Sequence, residues 1–135
     1  MTEQQTKIAK RFALLDLVLV GPMALPGLAH ILIGLFILAD GAVGIQSPLG
    51  QMNEAGMLFV NVVGVLAAMW AIARLMEPTA LTTRIDSYAR LAVALLLIYY
   101  WAGTGPSVIF ALFLLSEIGG ATVQLLALKK KGQPS

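Results

Sequence analysis

The stretch Glu54–Met76, EAGMLFVNVVGVLAAMWAIARLM, decides the fold. It lies between Asn53, whose side chain can cap a helix, and Pro78, which cannot continue a helical hydrogen-bond ladder. Its 23 residues hold one carboxylate at the start and one arginine near the end. As a helix it extends about 35 Å, enough to cross about 30 Å of hydrocarbon. It therefore reads as a transmembrane span.

Composition agrees, with 59% hydrophobic and 12% charged residues among 135 and a mean hydropathy of +0.85. Soluble domains carry about 25% charged residues, so this chain has too little polar surface to coat a water-soluble globule. The net charge of +2 does not mark a nucleic-acid binder, because the nine Lys and Arg are dispersed at the ends of apolar runs, as membrane anchors are. The absence of cysteine excludes disulfides, thiolate metal sites and cysteine nucleophiles.

Two further runs resemble the first. Thr83-Arg84-Ile85-Asp86 is a capping-box-like start for a run over 84–102, and Gly103-Thr104-Gly105-Pro106 is a turn after it. Pro106 suits the first turn of a run over 106–128, which stops at Lys129-Lys130-Lys131-Gly132, the start of a basic tail over 129–135.

The apolar region from Phe12 to Ile45 differs, because its 34 residues would extend about 51 Å as one helix. Gly21, Pro22, Pro26 and Gly27 break it. The expected arrangement is a cytoplasmic-side or half-inserted segment over 1–20, a hinge over 21–27 and a crossing over about 23–45. A long, kinked, tilted helix is the main alternative. A signal peptide is suggested by Lys7, Lys10 and Arg11 ahead of the apolar stretch, and opposed by Asp16 and the two prolines.

The sequence thus predicts an all-α integral membrane protein, a single transmembrane domain of four helices whose first is preceded or broken by a Gly/Pro hinge. Lys7, Lys10 and Arg11 precede the first span; Arg74, Arg84 and Arg90 flank the connection between spans two and three; Lys129, Lys130 and Lys131 follow the fourth. The other two loops have no Lys or Arg, so the positive-inside bias predicts both termini in the cytoplasm of a bacterial-type inner membrane. Tyr99, Tyr100 and Trp101 fall at the outer end of span three, as interfacial aromatics do.

No catalytic signature, phosphate loop or metal-ligand spacing is present, and the cofactor is unknown from the sequence. The one histidine, His30, excludes a bis-histidine haem within one chain. Attention falls on polar residues inside apolar spans, because a charge near mid-bilayer costs about 2.5–3.5 kcal/mol on insertion scales. Glu117 lies near the centre of span four; His30, Asp40 and Asn61 lie in spans one and two, and Asp16 near the inner interface. Two pairings are expected: His30 with Glu117, and Asp40 at one depth with Asn61. Asp16 is within the expected reach of Arg11, Arg84 or Arg90. Asp86 and Arg90 make an i, i+4 pair worth about a few tenths of a kcal/mol. Hydrogen bonding that holds helices together would satisfy these residues as well as a ligand or proton role.

Gly64 and Ala68 in span two, and Ser116 and Gly120 in span four, form small-residue ridges for close helix packing. Gly119-Gly120 is also a place for a bend. In size and plan alone the chain resembles the broad DoxX-like group of small bacterial membrane proteins; no motif carries that likeness, and it implies no activity. The key glutamate of small multidrug exporters lies in their first span, where this chain offers Asp16, His30 and Asp40.

The leading functional expectation is a non-enzymatic membrane subunit, scaffold or assembly factor, within the lipid bilayer and in a homo-oligomer or larger complex. The alternatives are a small proton-coupled transporter using Glu117 and His30, and a membrane-embedded quinone- or lipid-binding protein or enzyme.

Overall fold

The computed structural model describes residues 1–129, which form five α-helices and no strand. Lys130 and Lys131, and with them most of the expected basic tail, lie outside the described residues. Helix α1 covers Glu3–Leu19, α2 Pro26–Ala42, α3 Glu54–Met76, α4 Ala80–Thr104 and α5 Val108–Lys129. Short 3-10 turns, Gly21–Ala24 and Pro48–Gln51, lead into α2 and α3. Helices α3, α4 and α5 are long and apolar enough to cross a membrane.

Local chemistry accounts for each boundary. In α1 the Thr2 hydroxyl accepts from the Gln5 amide at 3.3 Å, and the Gln5 side chain accepts from the Thr2 amide at 2.8 Å, a reciprocal capping box. Gly21-Pro22 ends it, because proline has no N–H for the ladder. Pro26 opens α2 at a position where its missing N–H is not needed. Gly44, at φ +78°, closes α2: its amide bonds Gly41 and that of Ile45 bonds the Asp40 carbonyl, a Schellman ending. With 17 residues, α2 extends about 25 Å and stops short of the expected Ile45.

The third run keeps its expected bounds, with the Asn53 side chain accepting from the Gly56 amide at 2.9 Å. The fourth begins earlier than expected, at Ala80, because Thr79 and Thr82 cap each other reciprocally and displace the box expected at Thr83. The fifth begins later, since the Ser107 hydroxyl caps it by accepting from the Phe110 amide at 3.3 Å, leaving Pro106 outside the helix. It runs unbroken through Gly119-Gly120.

Helices α1 and α2 together follow the whole length of α5. Near one end the Gln5 amide group donates to the Ala127 carbonyl at 2.8 Å. At the other, the Asp40 carboxylate accepts from the Val108 amide at 2.7 Å and from the Ser107 hydroxyl at 3.0 Å. The first 3-10 turn joins these halves and is pressed against the middle of α3. A Cβ on Gly64 would stand 2.3 Å from the Ala24 nitrogen, and the Asn61 side chain donates to the Met23 carbonyl at 2.8 Å. The Gly64/Ala68 ridge therefore receives a chain break, with Ala68 approaching Gly21. On α5, Gly120 is buried against Arg90 and Phe12, whereas Ser116 is exposed.

The molecule is apolar outside and small or polar inside. Leu38, Phe59, Leu95 and Leu115 are 68–69% exposed, while Ala71, Ala121, Asp40 and Ser87 are fully buried. Among lipid tails that distribution removes no apolar surface from water, so close contact of small side chains and interhelical hydrogen bonds hold the helices together.

Candidate functional site

Four helices converge on a buried cluster of five ionisable side chains. Asp86 is its hub, because the spacing of Trp70 and Arg74 on α3, of Asp86 and Arg90 on α4, and the position of Gln124 on α5 aim four donors at one carboxylate. Arg74 Nη1 donates to Asp86 Oδ2 at 2.6 Å, Arg90 Nε at 3.0 Å and Gln124 Nε2 at 2.9 Å, while Trp70 Nε1 donates to Oδ1 at 3.0 Å. Asp16, from α1, accepts from Arg74 Nη2 at 2.5 Å and from Arg90 Nη2. Glu117 accepts from Arg90 Nη1 at 3.2 Å. The guanidinium of Arg74 stacks near Trp70 at 5.8 Å and that of Arg90 near Phe12 at 5.5 Å, adding cation–π attraction.

The planar guanidinium suits this place. Each arginine bridges two or three carboxylates in fixed directions, which a lysine ammonium cannot reproduce. Desolvating one such ion costs several kcal/mol, so the cluster persists because its members compensate one another. Arg74 Nε is, among the described residues, a buried side-chain atom left with no hydrogen-bond partner.

Of the residues singled out by sequence, Asp16 and Glu117 come together here, and His30, Asp40 and Asn61 do not. His30 is exposed, with Nδ1 2.8 Å from the Pro26 carbonyl oxygen of its own helix. The expected His30 to Glu117 pair is thus replaced by Arg90 to Glu117, because the hinge carries α2 away from the cluster before it begins. Asp40 and Asn61 do not meet either. The first is fully buried at the start of α5, and the second holds the hinge carbonyl of Met23. Asp16 is reached by Arg90 as expected, with Arg74 in the role expected of Arg11 or Arg84. The Asp86–Arg90 pair has its expected spacing but is buried in a network, not a lone pair of small worth.

Arg74, Asp86 and Arg90 are members of this cluster that the sequence alone does not single out, because it reads them as membrane anchors and as a local pair. One signal was available: Arg90 lies ten residues into α4, too deep for an interfacial anchor.

Beside the cluster is a cavity of about 400 Å³. Asp16, Arg74, Asp86, Arg90 and Glu117 form its charged floor, and its walls include Met23, Phe36, Val60, Phe110 and Phe113. Phe36 and Phe113 meet edge to face, their ring centres 5.9 Å apart. No protein family, curated protein or solved structure matches this chain. Its chemistry must therefore be read from the site itself.

A second cavity, of about 470 Å³, lies beside His30, Asn53 and Glu54 and shares Ile33, Leu49 and Met52 with the first. Among the described residues no group of three or more His, Cys, Asp or Glu is placed to hold a metal ion. The central cavity offers a polar head a set of fixed charges and an apolar body a set of aromatic and aliphatic walls. Among the described residues that line it there is no Ser, Thr, Cys, His or Lys.

Proposed function

We propose that this chain is a four-crossing protein of a bacterial-type inner membrane, with both ends on the cytoplasmic side, and that its central cavity binds a small amphiphilic molecule taken from the bilayer. Support for the fourth crossing comes from the path of residues 5–40 along α5: α1 and α2 act as one interrupted crossing, although α2 alone is short. Interrupted helices are tolerated at membrane depth where their irregular backbone is covered by protein, as the hinge is by Gly64 and Asn61. Support for the orientation comes from the positive charges. With Arg74 and Arg90 taken up in the cluster, Lys7, Lys10, Arg11, Arg84 and the C-terminal lysines still argue for one side.

The observation that carries the binding reading is the cavity, whose volume falls within the roughly 300–1,000 Å³ of small-molecule sites and whose buried polar groups converge at one end. A lone structural network would need no such space beside it. A carrier in which His30 and Glu117 share a proton draws no support from this geometry, since His30 lies away from the floor.

Mass spectrometry of the gently solubilised protein tests the reading. The expected result is a retained lipophilic molecule, lost when Phe113→Trp fills the cavity. Recovery of the chain with an empty cavity and a stoichiometric protein partner would refute it and favour the subunit or scaffold function.

A further inference from the structure

Resting on that reading of the cavity, we propose that its ligand is a hydrophobic organic cation with a single positive charge, which exchanges with a proton on Glu117. The charge count carries the first step. Asp16 from α1, Asp86 from α4 and Glu117 from α5 face Arg74 from α3 and Arg90 from α4, which leaves one negative charge in excess. Helix α2 contributes Ile33 and Phe36 to the cavity and no ionisable group. An uncompensated charge in an apolar interior is unfavourable, so one positive charge must be supplied. A proton on the floor or a cation beside it does so, and each excludes the other.

Accessibility carries the second step. The side chains of Arg74, Arg90 and Asp86 are 3%, 6% and 6% exposed, whereas those of Asp16 and Glu117 are 21% and 17% exposed. What the floor presents is carboxylate, with the arginines sealed behind it. Asp16 is fixed by both arginines, but Glu117 is held by one longer contact of 3.2 Å to Arg90. Glu117 is therefore the carboxylate that can change its partner. As the cation enters, the carboxyl O–H bond of Glu117 breaks and its proton passes to water, so the charge of the site is the same before and after.

The walls select the kind of cation. Phe36, Phe110, Phe113 and Trp70 line the cavity; aromatic rings attract an organic cation and offer none of the oxygen ligands that would replace the hydration shell of a small inorganic one. An anion would add to the excess negative charge.

Trp70 reports on the cavity, and Trp101→Phe leaves it as the sole tryptophan. This variant, in detergent micelles, is titrated with tetraphenylphosphonium, neutral triphenylphosphine oxide and anionic tetraphenylborate. The phosphonium is expected to change Trp70 emission saturably, to release one proton per bound cation in weak buffer, and to lose roughly tenfold in affinity per pH unit on the acid side. Adding Glu117→Gln should weaken phosphonium binding by about tenfold or more while leaving the oxide within about threefold, and Glu117→Asp should restore both the preference and the proton release. Equal affinity for borate or oxide, undiminished phosphonium binding by the glutamine variant, or displacement of the phosphonium by millimolar sodium overturns the proposal. If none of the three probes reaches Trp70, the cavity reading itself fails. Binding of the oxide without preference for the cation removes only the charge assignment.

Discussion

Replacing Gly64 with alanine tests the packing that positions the whole site. The new Cβ would stand 2.3 Å from the Ala24 nitrogen and 2.4 Å from the Met23 carbonyl carbon, both main-chain atoms that cannot rotate away. Ordinary contact begins near 3.4 Å, so the hinge must retreat by about 1 Å, which carries the 2.8 Å bond from Asn61 to the Met23 carbonyl out of hydrogen-bonding range. Overpacking of this kind costs about 1–3 kcal/mol, and an interhelical hydrogen bond in lipid contributes about 0.6 kcal/mol. Alanine is the better helix former by about 1 kcal/mol, leaving a net loss of about 0.6–2.6 kcal/mol. Gly119→Ala is the control, because nothing stands within 4 Å of its Cβ. It should gain about 0.5–1 kcal/mol from helix propensity alone. Equilibrium unfolding in mixed micelles with increasing sodium dodecyl sulfate, followed by circular dichroism, measures both variants. A Gly64→Ala protein as stable as the parent, beside a stabilised Gly119→Ala, would refute the close approach.

Three other outcomes follow from the same geometry. Asp86→Ala strands donors from Trp70, Arg74, Arg90 and Gln124, and should cost about 3–5 kcal/mol in the same assay, with Asp86→Asn in between because it keeps an acceptor but not the charge. Asp40→Ala removes the acceptor at the start of α5, and should lose about 1–2 kcal/mol and speed amide exchange at Val108 before that at Gly120; unchanged exchange at Val108 would contradict the cap. Because the chain has no cysteine, single cysteines report topology cleanly: Gln51→Cys should react with an impermeant maleimide on intact spheroplasts, and Thr82→Cys only after permeabilisation, with the reverse pattern overturning the orientation.

The spans were legible because their causes are local. Asn53 and Pro78 bracket α3 by their own backbone chemistry, and the run between them announces its environment by hydropathy. The start of α4 was misplaced because Thr79 and Thr83 are equally good caps on paper. Thr79 is the cap used, and the Thr82 hydroxyl returns its bond by accepting from the Thr79 amide at 3.0 Å. The break in the first region was equally plain from Gly21, Pro22 and Pro26. What could not be read was that the helix before the break packs beside α5, where the Gln5 side chain bonds the Ala127 carbonyl.

Glu117 and Asp16 stood out because a carboxylate within an apolar run is expensive wherever it lies. Their partners did not, since Arg74 and Asp86 sit towards helix ends that interfacial charges also occupy, and Arg90 is matched to Asp86 by its i, i+4 spacing alone. His30 drew notice for the same reason as Glu117, yet it is satisfied by a carbonyl of its own helix.

By itself the sequence determined that this chain is a helical membrane protein, where three long apolar helices lie and that a hinge interrupts the region before them, because hydropathy, proline and capping act over a few residues. The tertiary structure alone decided which charges meet. Asp16 and Arg90 are separated by 74 positions, and no local rule relates them; they are joined because Gly64 admits the hinge against α3 and Gly120 admits Arg90 against α5. The excess carboxylate and the cavity beside it are properties of that meeting.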